Sequence, residues 1–528
     1  MTASWVPPEH GTDSEGLQPR VARGLTWTIV ELWGRQALNL VVFIILARLL
    51  VPVDFGIVAL ATVFVALAQV VVDQGLGDAL IQRPQITRSH IDTAFWVAML
   101  TGAALTLIGL IAAGPIAGLL NEPELAPILQ VLSLTFVLAA FSSIQVALLR
   151  RELAFRTLAV RTLAGAAGGG AIGIAMALLG FGAWALVGQL VGSAVLSAAM
   201  LWWVSPWRPG RQVSWAHFRE LFSFGVNVLG SDLLTFFNRN TDNLLIGVFL
   251  GTEPLGLYTV GYRLLEVSQT ILVNVARKIT FPAFSRLQGD HNRMLRAHLK
   301  VTRVASLTIV PSYIGLALIA PELTILVFGA QWAASGIVAS ILLLSGPALS
   351  LRTFNLALLA ATGHPDIAFR FRLIATAVNV AGFAIAVSFG LNAVAAAFAI
   401  GTYALMPLNL YWTQKYAAVP IRTYLGQLLR IVVATALMAV AMLTVKLALG
   451  SARPVVLVAA EVAVGVVVFV GFIRLLEPHL LREAIAFGKQ AVPVRRRLRR
   501  GPRPPSDGST GGSLDDDSDG ATVDPLTP

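Results

Sequence analysis

Apolar stretches of about 20 residues follow one another from Gly24 to about Arg474, each long enough to cross a hydrocarbon core of about 30 Å. Inside a bilayer no water satisfies the peptide groups, so each stretch is read as a helix that closes its own hydrogen bonds. Charged residues make up 13% of the chain and hydrophobic ones 56%, at a mean hydropathy of +0.75. A soluble chain carries about 25% charged residues. The fold class is therefore an all-α polytopic membrane protein. With no cysteine, disulfides, thiolate catalysis and cysteine metal sites are excluded.

Helices are expected over residues 24–48, 55–73, 93–119, 126–149, 158–179, 183–204, 220–250, 255–275, 300–320, 336–360, 371–389, 392–413, 430–449 and 454–475. These fourteen spans divide into two pseudo-symmetric six-helix bundles plus a terminal helix pair. The division rests on a repeat spaced by about 208 residues. Ala147-Leu148-Leu149 and Ala154-Phe155-Arg156 recur as Ala357-Leu358-Leu359 and Ala368-Phe369-Arg370. Phe181-Gly182 recurs as Phe389-Gly390, and Gly56 has its counterpart in Gly256. Since six is even, both copies enter the membrane in the same sense, related by an axis near the membrane normal.

The expected domains are a cytoplasmic disordered N-terminus (1–23), an N-terminal bundle (24–204), an inter-lobe linker (205–219), a C-terminal bundle (220–413), the extra pair (430–475) and a disordered cytoplasmic tail (476–528). Segment 1–23 lacks the pattern of a signal peptide, so the first helix is expected to be the first membrane signal. Loops on the N-terminal side carry Arg83, Arg88, Arg150, Arg151, Arg156, Arg208, Arg211 and Arg219, then Arg277, Lys278, Arg286, Arg293, Arg296, Lys300, Arg370, Arg372, Lys415, Arg422 and Arg430. Opposite loops such as Val51–Asp54, Asn121–Leu125 and Pro321–Ser335 carry none, and Arg453 is the exception near the end. The positive-inside rule places both termini in the cytoplasm. In the tail, Arg495 to Arg503 supply a basic cluster answered by Asp507 to Asp524, in sequence too polar to fold. It reads as a topology anchor or as a contact to anionic lipid. The net charge of +11 follows one leaflet rather than one patch, so nucleic acid is not an expected partner.

A charge near a helix centre costs about 2.5–3.5 kcal/mol on insertion scales, so each needs a partner, water or a task. Glu31, Arg35 and Asn39 fall on one stripe of the first helix, where Glu31 and Arg35 are spaced to pair. The seventh helix is the most polar, with Asp232, Arg239 and Asn243 on one face and Asn238, Asn240 and Asp242 nearby. The eighth carries Tyr258, Tyr262, Glu266 and Gln269 with Arg263 alongside, and the tenth Arg352 and Asn355. Helices 1 and 7 hold equivalent places, so their polar faces are expected to look at each other across a central cavity. Permanently charged Arg35, Arg239, Arg263 and Arg352, with Asn39, Asn243 and Tyr262, suit an anionic, sugar-bearing substrate. Glu31, Asp232 and Glu266 can change charge and are candidates for ion coupling. Structural pairing of Glu31 with Arg35 and of Arg263 with Glu266 is the competing explanation. Arg48, Asp73, Arg161 and Arg303 near helix ends are expected to snorkel to the headgroups. The glycines from Gly165 to Gly173 suit close helix packing, and Pro311, Pro347 and Pro407 can kink their spans. No motif for catalysis, cofactor or metal binding is present, so no cofactor and no enzymatic activity are expected.

The run Ala47-Arg48-Leu49-Leu50-Val51-Pro52-Val53-Asp54-Phe55-Gly56, then Asp73-Gln74-Gly75-Leu76, resembles the opening of polysaccharide flippases. So do Asn240-Thr241-Asp242-Asn243, Phe281-Pro282-Ala283-Phe284-Ser285-Arg286, and Pro321-Glu322-Leu323 followed by Phe328-Gly329 and Trp332. The resemblance covers about Gly24 to Lys415 and is to the Wzx-type O-antigen and exopolysaccharide exporters, especially their colanic-acid-exporter-like branch, in the multidrug/oligosaccharidyl-lipid/polysaccharide superfamily. It implies two bundles around a cavity and alternating access. It also implies ion-coupled movement of a polyprenyl-pyrophosphate-linked oligosaccharide to the outer leaflet of a bacterial plasma membrane. Implied partners are that lipid-linked oligosaccharide, membrane lipids, and the polymerase and glycosyltransferases of the same pathway. Two alternatives stay open: a cation-coupled multidrug efflux transporter of the same superfamily, which favours a carboxylate cavity, and a membrane polysaccharide polymerase, for which the outer loops are short and poor in charge.

Overall fold

A computed structural model describes residues 14–72, 77, 80–81, 83, 86–274, 290–450 and 452–476. The first helices are α1 (Ser14–Leu49), α2 (Pro52–Val72), α3 (Arg88–Leu119), α4 (Leu125–Arg151), α5 (Phe155–Leu178) and α6 (Ala183–Val204). The second copy comprises α7 (Trp215–Phe249), α8 (Thr252–Gln269), α9 (His291–Phe328), α10 (Ala330–Ala361), α11 (Pro365–Phe389) and α12 (Leu391–Ala417). The terminal pair is α13 (Ile421–Ala448) and α14 (Pro454–Leu476). No strand occurs among the described residues. The N-terminal segment before Ser14, the tail after Leu476, Asp73-Gln74-Gly75-Leu76 and Phe281 to Arg286 lie outside the described residues.

Twelve of the helices are long and apolar enough to cross a membrane. The two expected spans outside that set are α7 and α8, which carry most of the candidate polar residues. Of the fourteen expected spans, twelve thus qualify among the described residues, and α7 and α8 are too polar to count with them. Burying such groups is tolerable in a membrane where they face protein or a water-filled space.

The repeat is visible in the packing. Within the first copy α1 packs on α5, α2 on α4, α3 on α4 and α5 on α6; within the second, α7 packs on α11, α8 on α10, α9 on α10 and α11 on α12. Each pairing recurs six helices later, giving two six-helix bundles. The matched Phe-Gly turns behave alike: Gly182 at φ +53° and Gly390 at φ +94° precede α6 and α12 in conformations that L side chains rarely adopt. The glycine run of α5 does pack closely. A methyl on Gly169 would meet the Gln189 carbonyl and Ser193 of α6, and one on Gly173 would meet Gln189 and Ala185.

Several boundaries differ from the sequence reading, for reasons of backbone chemistry. The segment Pro321–Phe328, expected to be loop, continues α9 with Pro321 inside it, because a proline in a long packed helix bends rather than ends it. Within α10, the helices Ala333–Leu344 and Gly346–Ala361 meet at Ser345, just before Pro347. Helix α12 breaks at Leu405, before Pro407. Helix α8 runs into a π-helical turn at Thr270–Asn274.

Candidate functional site

The two copies touch most closely at the ends of α2 and α8, opposite the arginine-rich helix ends. Repeat-related Gly56 and Gly256 meet face to face there: a methyl on Gly56 would strike the Thr252 carbonyl, and one on Gly256 would strike the Pro52 carbonyl. The contact is reciprocal, as expected where a pseudo-twofold axis passes between two glycines. Trp332, fully buried, donates from Nε1 to the Ala47 carbonyl at 2.7 Å, and Gln331 Nε2 reaches the same oxygen at 3.1 Å. Phe55 meets the Trp332 ring edge-on at 5.2 Å, and Phe43 meets Phe328 at 5.7 Å. Thr252 Oγ1 donates to Glu122 Oε1 at 3.0 Å. Arg48 donates from Nε to the Val327 carbonyl at 2.8 Å and also to that of Leu326. The expectation of snorkelling is therefore corrected for Arg48: it satisfies the last-turn carbonyls of α9 across the lobe boundary.

Toward the other end lies a cavity of about 780 Å³. Among the described residues its wall is formed by α2 to α6, Gly77 and Ile81 between α2 and α3, and Asp232 of α7. Thr62, Gln69, Thr135, Ser142, Ser143, Ser193 and Ser197 supply hydroxyl and amide groups, and Arg150, Arg161 and Asp232 supply the charges. Arg161 therefore lines the cavity, which also corrects its reading as a snorkelling side chain. Among the described lining residues, Arg150 and Arg161 bring two guanidiniums and Asp232 one carboxylate. Hydroxyls and amides that both donate and accept suit a hydroxyl-rich ligand, and guanidiniums suit its phosphates.

Glu31 does not pair with Arg35. It accepts a hydrogen bond from Thr162 Oγ1 of α5 at 2.9 Å, and its charge acts on neighbouring Arg161. Intrahelical spacing favoured Arg35, but the packing of α5 on α1 brought a cation and a hydroxyl to the inward side of that stripe. Arg35 itself is exposed and Asn39 half-buried.

The competing structural explanation holds for Arg263, which pairs with Glu266 at 2.5 Å, and its guanidinium also lies 5.3 Å from the Phe43 ring centroid. Tyr262 stacks on Tyr258 at 5.9 Å, with the charges of Arg239 and Glu266 within electrostatic reach of its hydroxyl. Arg239 is exposed and Asn243 half-buried. Arg352 stands apart, half-buried over Phe371 at 5.8 Å, with a buried nitrogen that has no hydrogen-bond partner. Of the ten candidates, Asp232 is among the cavity-lining residues; Arg239, Tyr262, Arg263 and Glu266 form a second group on α7 and α8.

Sequence reasoning passed over the Asp242–Tyr258 pair, in which the Tyr258 hydroxyl donates to Asp242 Oδ2 at 2.8 Å with both residues buried. The signal was present in Asn240-Thr241-Asp242-Asn243 and the Tyr258 stripe, but only the α7–α8 hairpin brings them together. It also passed over Arg150, whose place in a basic loop cluster suggested topology alone.

Residues 45–336 match the protein family described as polysaccharide biosynthesis protein. The chain is 28% identical over 354 residues to the succinoglycan biosynthesis transport protein ExoT of Rhizobium meliloti, an alignment covering 67% of this chain and 72% of that protein. It is 28% identical over 362 residues to the lipopolysaccharide biosynthesis protein WzxC of Escherichia coli, covering 68% and 74%. Among solved structures, lipid II flippase MurJ in an inward closed conformation superposes with a TM-score of 0.70 at 15% identity, covering 87% of this chain and 100% of that one. An inward-facing MATE multidrug transporter of the MOP superfamily gives 0.53 at 16% identity, covering 73% and 94%. Both likenesses concern the fold. With more than half its length matched, this multi-pass membrane chain belongs to the polysaccharide biosynthesis protein family.

Proposed function

We propose that the protein is a flippase that moves a polyprenyl-pyrophosphate-linked oligosaccharide from the inner to the outer leaflet of a bacterial plasma membrane by alternating access. The observation that carries this reading is a cavity holding Arg150, Arg161 and a lining of hydroxyls, with the opposite end closed by the Gly56–Gly256 contact and the Trp332 seal. Orientation by the positive-inside rule puts the cavity on the cytoplasmic side, where a lipid-linked sugar is assembled, and both termini with it. Arg150 and Arg161 would hold phosphate oxygens, and the serine and threonine hydroxyls the sugar. Opening the closed end requires the copies to part at the α2–α8 contact, where the small glycines leave backbone against backbone. Glu31, Asp232 and Glu266 are the proposed ion-coupling carboxylates. Polymerase and glycosyltransferases of the same pathway are the proposed partners.

ExoT is described as a transport protein and MurJ as a lipid II flippase, and their kinship with this chain supports the reading. Drug efflux fits less well, because Arg150 and Arg161 in the described lining would repel the cations such an extruder carries.

The test uses proteoliposomes loaded with a fluorescent polyprenyl-pyrophosphate oligosaccharide, scored by the appearance of glycan that an external lectin can bind. The cysteine-free chain permits a clean pair, Ala47→Cys with Gln331→Cys, joined by a reducible bifunctional thiol reagent. Joining should stop translocation and reduction should restore it. Translocation at an unchanged rate while joined refutes the closed-end reading, and no translocation by the unmodified chain refutes the function.

A further inference from the structure

Helices α9, α13 and α14 carry a charged cluster that the central cavity does not use. Lys446 Nζ of α13 lies 2.8 Å from Glu322 Oε1 of α9 and donates to the Leu318 carbonyl at 3.1 Å. Glu461 of α14 is fully buried, and neither of its carboxylate oxygens has a hydrogen-bond partner. The second oxygen of Glu322 is likewise buried without one. The helices packed on α14 are α13 and α9, and the charged groups they bring to bear on Glu461 are Lys446 and Glu322. On the helix itself and its approach, Arg453 and Arg474 stand at the two ends.

The charge balance decides the protonation. Glu461 lies seven residues into α14, about 10 Å along the axis from Pro454 at a rise of 1.5 Å per residue. Two ionised carboxylates about one ammonium would leave a net negative charge inside a low-dielectric membrane, several kcal/mol uphill. One added proton makes the group neutral. Because Lys446 already faces Glu322, the proton belongs on Glu461, whose bare oxygens offer the place for it.

We propose that Glu322, Lys446 and Glu461 form a proton-binding site joining the terminal helix pair to the second copy, with Glu461 carrying the proton at neutral pH. The same helices line an apolar groove of about 510 Å³ through Ile319, Met442 and Val462, next in line to the cluster. The site therefore caps that groove, and its proton keeps α14 seated on α9 and α13. It stands independently of the transport reading.

Infrared spectroscopy of the full chain in lipid nanodiscs tests this, through the carbonyl stretch of a protonated carboxylic acid recorded at neutral pH. The wild-type band should include a component missing from Glu461→Gln. Glu322→Gln, which leaves Glu461 facing Lys446 as a balanced pair, should lose the same component. Lys446→Met should gain a second one, since both carboxyls then need protons. A band unchanged in Glu461→Gln overturns the proposal, as does its absence from the wild type, a reading that needs no variant to fold. Retention of the component in Glu322→Gln overturns the shared-charge account, and its removal by added sodium assigns the site to a metal cation instead.

Discussion

The two six-helix copies share a skeleton and differ in what interrupts it. Helices α1 to α6 run unbroken, even past Pro115 within α3, and α2 to α6 supply most of the described residues of the cavity wall. In the second copy α10 and α12 break next to prolines, α8 ends in a π-helical turn, and α9 passes through Pro311 and Pro321. Breaks free backbone groups and make bending easy, so the second copy carries the points where bending is easiest, while the described cavity lining lies mostly in the first. Symmetry governs the contact between the copies, where Gly56 meets Gly256. Asymmetry governs the chemistry, where polar α8 occupies the place of apolar α2.

The largest expected effect breaks the symmetric contact. Gly56→Leu places a branched side chain against the Thr252 carbonyl, and overpacking of this kind destabilises by about 3 kcal/mol. Export should cease. In a Gly56→Leu protein carrying Trp332→Cys as a reporter, thiol labelling should rise sharply over the Gly56 background, and equal labelling argues against closure by the glycine contact. Next come the arginines. Arg35→Ala and Arg239→Ala, on equivalent helices of the two copies, are expected to abolish export with membrane insertion intact. Wild-type polymer yield from the double variant would remove them from the transport path. Arg161→Ala in the cavity wall should lower translocation about tenfold, equivalent to 1.4 kcal/mol, and Arg161→Lys should recover part of it if a single positive charge suffices.

A smaller effect tests the polar second copy alone. A double-mutant cycle of Asp242→Asn and Tyr258→Phe should show coupling of about 1–2 kcal/mol in unfolding, since Tyr258→Phe removes the donor to the buried carboxylate and Asp242→Asn replaces that charged acceptor by a weaker neutral one. Additive losses would mean that the hairpin does not depend on this bond. Smallest is Trp332→Phe, which keeps the ring against Phe55 but loses the bond to Ala47, for about 1 kcal/mol. Its readout is a modest rise in leak through the closed end rather than loss of fold.

Much of the fold was legible in the chain because membrane helices announce themselves by length and apolarity, and because a repeat copies its turn residues. Phe181-Gly182 and Phe389-Gly390 could be matched as text, and both glycines adopt positive φ before equivalent helices. The site was legible in kind but not in partners. Arg263 and Glu266 pair as their spacing predicts, since neighbours on one helix meet whatever surrounds them. Glu31 turned instead to Thr162 and the neighbourhood of Arg161, which sequence distance hides and helix packing supplies.

By itself, then, the sequence determined the helical membrane class, the doubling and the polar character of α7 and α8, all local properties of hydropathy and spacing. Only the tertiary structure decided which end is shut, that Arg48 and Trp332 bridge the copies, and that Arg150 and Arg161 face a cavity. Those outcomes depend on contacts between helices far apart in the chain. A side chain's partner in a low-dielectric interior is set by the nearest group able to satisfy it, and that group is known only once the helices are packed.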